Sequence, residues 1–274
     1  MNDLKYDCFI STLLYLFGIW NRKELIKPIL FLTYGFHYNS QWQTLDDTIV
    51  YSYLKEDILA ELSSCGIHHQ EKDISVGEWP DNSTDVNEVN ILVVDGFECP
   101  WHQAYQTYHV NHHLVLKHIF QNRIMVVDPF FEQREFEFEK KTELKQITIK
   151  NVENKRDVFM PKREINKVEY MDNIDLFCDN LFRVGSQLLN CDMKLEGIQF
   201  LRDIKSILYS KYNLMAISGE KKEVYIKCKD LINQWETLLN RLIYITLTKK
   251  IQEESIDRIK TDIKKTEREI IHYL

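Results

Sequence analysis

Residues 113–119, His-Leu-Val-Leu-Lys-His-Ile, and 123–127, Arg-Ile-Met-Val-Val, are apolar, β-branched runs flanking Gln121-Asn122. Such runs around a polar pair with turn chemistry predict a β-hairpin. The second run leads into Asp128-Pro129. If Phe120 faces Arg123, Asp128 lies opposite Val115 and His113 is its diagonal neighbour on one face, with His112 on the other. A loop one residue longer reverses that parity. An imidazole and a carboxylate sharing one face of a hairpin are two parts of a cysteine-nucleophile site, the base and the group that orients it.

The third part is found far upstream. Cys8 follows Asp7 and opens the apolar run to Trp20, which predicts a buried helix. Backbone N–H groups and the macrodipole at a helix N-terminus favour the thiolate, the form that attacks. Cys8, His113 and Asp128 are therefore the expected catalytic residues.

Around these segments the chain alternates in character. Helical patterns cover 8–20, 23–36 (shortened or kinked by Pro28) and 46–64, the last stopped by Gly66. Asn90-Ile-Leu-Val-Val-Asp95 predicts a short buried strand, and Arg134-Glu-Phe-Glu-Phe-Glu139 a second, alternating one. Residues 96–111, rich in aromatic side chains and histidine, link the first of these to the hairpin. Residues 150–171 are charged, contain Pro161 and read as a connector. Helices are then expected at 172–190, 194–212, 221–247 and 251–273. The whole is an α+β chain, an N-terminal helix plus antiparallel sheet over 1–160 with an added helical region over 161–274.

Composition bounds the function classes. The 274 residues are 44% hydrophobic and 28% charged, ordinary for a globular protein. The run from Cys8 to Trp20 is too short to span a bilayer, and acidic residues before it make a poor secretory signal. Six cysteines without a spacing pattern suggest free thiols in a cytosolic protein. The eight glycines form no dinucleotide fingerprint or phosphate loop. A net charge of −7 without a basic arm argues against nucleic acid. Residues 1–150 hold 13 basic against 22 acidic side chains, and 151–274 hold 22 against 20. An acidic macromolecular partner is therefore expected to prefer the second half, where Lys221-Lys222 is one candidate contact. Cys99, His102, His109, His112 and His113 invite a zinc reading, but no C-x-x-C pair is present. The His109–His113 spacing would also need a helix where a strand starts, so no metal is expected.

Asp7-Cys8 before a helix, His113-Leu-Val-Leu and Val127-Asp128-Pro129 resemble the bacteriocin-leader branch of papain-like cysteine peptidases. More of the chain resembles the family of the butirosin-biosynthesis acyltransferase. That likeness rests on Val94-Asp95-Gly-Phe97-Glu-Cys-Pro100-Trp101-His102, then Tyr105, Tyr108-His109 and His113, with Glu196-Gly-Ile-Gln-Phe-Leu201-Arg202-Asp203 in the helical half. The resemblance implies a papain-like fold recruited as an acyltransferase. Such an enzyme takes an acyl, aminoacyl or peptidyl group from the phosphopantetheine thioester of a carrier protein. It passes the group through acyl-Cys8 to an amine acceptor in nonribosomal or antibiotic biosynthesis, with no cofactor of its own. His113 would move the proton and Asp128 would orient His113. The glutamine usual upstream of the nucleophile is missing, and Asn2 would take its place as oxyanion donor beside the Cys8 N–H. Trp101, His102, Tyr105 and His109 are the expected substrate-side residues. The alternative is a peptidase or thioesterase using the same three residues, with water in place of the amine.

Overall fold

A computed structural model describes residues 7–35, 55–81, 85–120, 123–139, 142–152, 166–190, 194–217, 222–248, 250 and 253–273. The described chain is α+β, and it divides into two compact units. One comprises Tyr6–Pro28 and Lys55–Pro161; the other takes Lys162–Leu274 together with the described part of Ile29–Leu54. The division is thus not a single cut near residue 160, because the chain visits the helical unit once before returning to build the sheet.

In the sheet unit, helix α1 (Cys8–Ile19) starts where Asp7 accepts the Ile10 N–H at 2.8 Å, a cap of the kind worth about 1 kcal/mol. It buries Phe9, Ile10, Thr12, Leu13, Leu16 and Phe17, the pairwise three-to-four spacing of a single helical face. Helix α2 (Ile26–Leu32) straddles the division, its first three residues belonging to this unit, and α3 (Lys55–Ser64), again in the sheet unit, ends at Gly66 with φ of 77°.

Six strands follow: β1 (Ile67–Ile74), β2 (Glu88–Asp95), β3 (Asn111–Phe120), β4 (Arg123–Asp128), β5 (Arg134–Glu139) and β6 (Leu144–Asn151). They form one antiparallel sheet in the order β1-β6-β2-β3-β4-β5. The central strands bury both faces. On one, His113 and Val115 turn toward α1, where the Phe9 and His113 rings lie 5.2 Å apart. On the other, Leu92, Val94, Leu114, Leu116, Ile124 and Val126 form a core with Trp101, Phe136 and Phe138.

The hairpin register decides the site. Phe120 faces Arg123, and the pairing continues through Ile119–Ile124 and His118–Met125. It then slips by one residue between Leu116 and His118, so that Leu116 faces Val126 and Val115 faces Val127. Lys117 is the extra residue of a β-bulge, and beyond a bulge every side-chain pairing shifts by one. Asp128 consequently lies next to His112 on the face away from α1.

The helical unit consists of α4 (Lys167–Asn190), α5 (Lys194–Ile217), α6 (Lys222–Thr248) and α7 (Glu253–Ile271) around an apolar core that includes Ile174, Ile207, Trp235 and Ile263. Inside it, Lys211 and Glu267 form a fully buried ion pair, with Nζ 2.9 Å from Oε1. Tyr170 donates to Glu267 Oε2 at 2.7 Å, Tyr34 donates to the same oxygen at 3.3 Å, and Trp235 Nε1 reaches Oε1 at 3.3 Å. A buried charge is tolerated when its lone pairs are this well occupied. Burial holds the Lys211 ammonium below its ordinary range, and Glu267 works against that.

Candidate active site

Cys8 is the first residue of α1, and its Sγ lies 3.3 Å from His113 Nδ1. Two elements produce this contact. The Asp7 cap fixes where the helix begins, and Thr12, fully buried one turn later, ties it to β3. Its hydroxyl donates to Cys8 O at 2.8 Å and lies 3.4 Å from His113 O. The sulfur also lies 4.0 Å from the Asn111 carbonyl oxygen. Among the described cysteines, Cys65, Cys99, Cys178 and Cys228 are buried, whereas Cys8 is partly exposed.

Electrostatics run opposite to the expectation of a helix-stabilised thiolate. Burial, reinforced by the Asp7 carboxylate, pushes the Cys8 thiol up to about 12. Burial likewise pulls His113 down to about 3, with unfavourable contributions from His112 and Lys55. The macrodipole offers about 0.3–1 kcal/mol at an exposed helix end, and loss of hydration outweighs it here. The resting pair is thiol and neutral imidazole. With the imidazole proton on Nε2, Nδ1 is free to accept the thiol proton as the sulfur attacks.

Asp128 belongs to a different constellation. Its Oδ2 is 2.6 Å from His112 Nε2 and accepts the Trp101 indole N–H at 2.8 Å. Its Oδ1 accepts the N–H groups of Phe130 at 3.0 Å and Phe131 at 3.3 Å. Asp128 and His112 are buried. The expected His113–Asp128 pairing is therefore corrected to His112–Asp128, because the bulge at Lys117 reverses the parity that a regular hairpin would have. The structure brings Cys8 and His113 together and does not bring Asp128 to them.

The four substrate-side candidates separate in the same way. The Trp101 ring stacks on Phe136 at 4.1 Å and anchors its loop to the face away from Cys8. His102 packs on His112 at 4.5 Å, and its Nδ1 accepts the Ala104 N–H. Tyr105 is exposed, its hydroxyl accepting from Gln106 at 3.1 Å. His109 pairs through Nδ1 with Asp95 Oδ2 at 2.5 Å. Asn2, Lys221 and the side chains of the Glu196–Asp203 stretch lie outside the described residues. Among the described residues no cluster of three or more His, Cys, Asp and Glu side chains could hold a metal ion. Cys99 instead lies 3.6 Å from Asp95 O.

The 96–110 loop depends on one glycine. A Cβ on Gly96 would meet Val110 Cγ1 at 2.8 Å and His102 Nδ1 at 3.0 Å, while the Gly96 N–H donates to Val110 O at 2.7 Å across the base of the loop. Only a residue without a side chain allows that approach. Asp95-Gly is also the start of an Asx turn, a sequence signal that could have marked Asp95 as an organising carboxylate.

No family model and no curated protein sequence matches this chain.

Proposed function

We propose that the protein is a cysteine acyltransferase of papain-like architecture, with Cys8 as nucleophile and His113 as its base. The single observation that carries this reading is the 3.3 Å contact between Cys8 Sγ and His113 Nδ1 at the first turn of a helix. A thiol within reach of a neutral imidazole, on a residue that is itself partly exposed, is the arrangement that nucleophilic catalysis needs. The substrate is an acyl, aminoacyl or peptidyl thioester on the phosphopantetheine arm of a carrier protein, and the acceptor is an amine. Cys8 Sγ attacks the thioester carbonyl while its proton passes to His113 Nδ1. The Cys8 N–H, one of the helix's first four donors, would supply a hydrogen bond to the developing oxyanion. Collapse breaks the C–S bond to the pantetheine sulfur, which takes the proton from His113. Acyl-Cys8 remains for the amine. Asp128 acts at a distance in this scheme, holding Trp101, His112 and the turn after β4.

Among the described residues no helix is long and apolar enough to cross a membrane, and the free buried thiols suit a reducing compartment. The test is intact-mass analysis after incubation with carrier-bound and small thioesters. The wild type should gain one acyl group on Cys8, released by amines much faster than by buffer, and Cys8→Ala should gain none. Loading followed by rapid hydrolysis that no amine alters would replace the transferase with a peptidase or thioesterase.

A further inference from the structure

Aminolysis of a thioester has a proton balance that one neutral histidine does not meet. A protonated amine, R′NH3+, reacts with acyl-Cys8 to give acyl-NHR′, Cys8-SH and one free proton. The C–N bond forms, the C–S bond breaks, and the nitrogen loses two protons. One returns to the Cys8 sulfur, beside which His113 already stands. The other needs an acceptor that faces solvent and lies on the same side of the sheet.

His109 is exposed, and the strand parity of its partner Asp95 argues for that side. Asp95 ends β2 directly opposite Asn111 of β3, and the next same-face pair along these strands is Val93 with His113. Side chains two residues apart on a strand share a face, so Asp95 shares the face of His113, about 7 Å further along the strand. Asn111 also links the two positions, since its carbonyl oxygen is the one 4.0 Å from Cys8 Sγ.

Asp95 is held firmly. Its Oδ1 accepts the Phe97 N–H at 2.9 Å and the Val110 N–H at 3.3 Å, leaving Oδ2 for His109 Nδ1. The Phe97 ring stacks on the imidazole at 4.6 Å with 22° between planes, which fixes its orientation. Partial burial opposes ionisation of Asp95, yet the bonds from His109, Phe97 and Val110 keep its carboxyl below the usual range. With Nδ1–H directed at this carboxylate, Nε2 is the accepting nitrogen. The His109 side chain is 73% exposed, open to an incoming amine and to bulk water.

Resting on the acyltransferase reading, we propose that His109, oriented by Asp95, is the general base that removes a proton from the acceptor amine and delivers it to solvent. His113 serves the sulfur, and His109 serves the nitrogen. Asp95 is a positioning residue.

The two half-reactions separate the roles. Cys8 is loaded with the acetyl thioester of N-acetylcysteamine and desalted, then discharged with n-butylamine, protonated at neutral pH, or with hydroxylamine, and followed by intact mass. General-base contributions of 10²–10⁴-fold are usual, so His109→Gln should slow discharge by the alkylamine roughly 100-fold and loading by less than about threefold. Hydroxylamine, already unprotonated at neutral pH, should discharge both proteins alike. The pH dependence of alkylamine discharge should differ between wild type and His109→Gln, and Asp95→Asn, whose amide oxygen can still accept from Phe97 and Val110, should narrow that difference. Equal alkylamine discharge by wild type and His109→Gln overturns the assignment and leaves the transferase standing. Equal slowing of loading, alkylamine discharge and hydroxylamine discharge makes His109 structural and also overturns it. Loaded wild type that no amine discharges faster than buffer removes the transferase reading, and the inference with it.

Discussion

Asp128→Ala distinguishes an anchoring carboxylate from a catalytic one. The side chain is fully buried and accepts from the Phe130 and Phe131 N–H groups and the Trp101 indole, with the His112 imidazole 2.6 Å away. Hydrogen bonds to a charged group contribute about 1.5–3 kcal/mol each, but they are not additive once water re-enters. A buried charge network that loses one member costs roughly 3–5 kcal/mol, and that is the expected loss in the unfolding free energy of the sheet unit. Asp128→Asn keeps an acceptor for the two backbone donors but turns an NH2 toward Trp101 and His112, so about half of that cost is expected. Urea titration followed by tryptophan fluorescence measures both. Because Asp128 and Cys8 serve opposite faces of the sheet, Cys8 alkylation by iodoacetamide in the folded variants should change by less than about threefold. A stability loss below about 1 kcal/mol, with Cys8 reactivity cut 100-fold or more, would refute the separation and restore Asp128 as the orienter of the base.

Alkylation of Cys8 by iodoacetamide should rise steadily from about pH 6 to pH 10, because the thiol is held near 12 and no thiolate–imidazolium pair exists at rest. A rate plateau beginning below neutrality would contradict this. Acid should destabilise the sheet unit through His113, lowered to about 3, and His102, lowered to about 4 by burial. The unfolded chain binds protons near 6.5 while the folded one refuses them, so stability present above 6.5 falls as pH drops toward 3–4. His113→Asn should flatten part of that decline in urea titrations across pH, and an unchanged slope would sink the assignment. In the helical unit, Lys211→Met leaves Glu267 charged and buried, an expected cost of about 3–5 kcal/mol, whereas Lys211→Met with Glu267→Leu should recover most of it. Chemical denaturation of the two variants checks this, and equal stability of the single and double variants would contradict it.

The sheet's centre and the place of Cys8 at a helix start were legible because their signals are local. Cys8 after a capping Asp7 marks a helix start, and the β-branched runs after His113 and before Asp128 mark a hairpin. What failed depended on long-range geometry. The β1 sequence Ile-His-His-Gln-Glu-Lys-Asp-Ile exposes its six middle residues at the sheet edge, so no two-residue alternation announces it. Strand β6, by contrast, carries a local signal, Ile147 and Ile149 alternating with Thr148 and Lys150, and it runs into the first residues of the expected 150–171 connector. The identity of the histidine beside Asp128 hinges on a single extra residue, Lys117, whose exposed side chain gives no hint of a bulge. Lys211 and Glu267, 56 positions apart, look like ordinary surface charges until the helices pack around them. The Asp95–His109 pair lies within the stretch that suggested a family, although its partnership required the closed 96–110 loop to be seen.

Which residues govern acylation decides the Cys8–His113 assignment most directly. Wild type, Cys8→Ala, His113→Asn and His112→Asn, each confirmed as folded, are incubated with the acetyl thioester of N-acetylcysteamine, and the adduct is located by peptide mapping. Acetylation is predicted at Cys8 alone, absent in Cys8→Ala, slowed on the order of 10²–10⁴-fold by His113→Asn and little changed by His112→Asn. Acetylation at another residue, or a reaction that His112→Asn abolishes and His113→Asn leaves intact, would contradict the Cys8–His113 assignment.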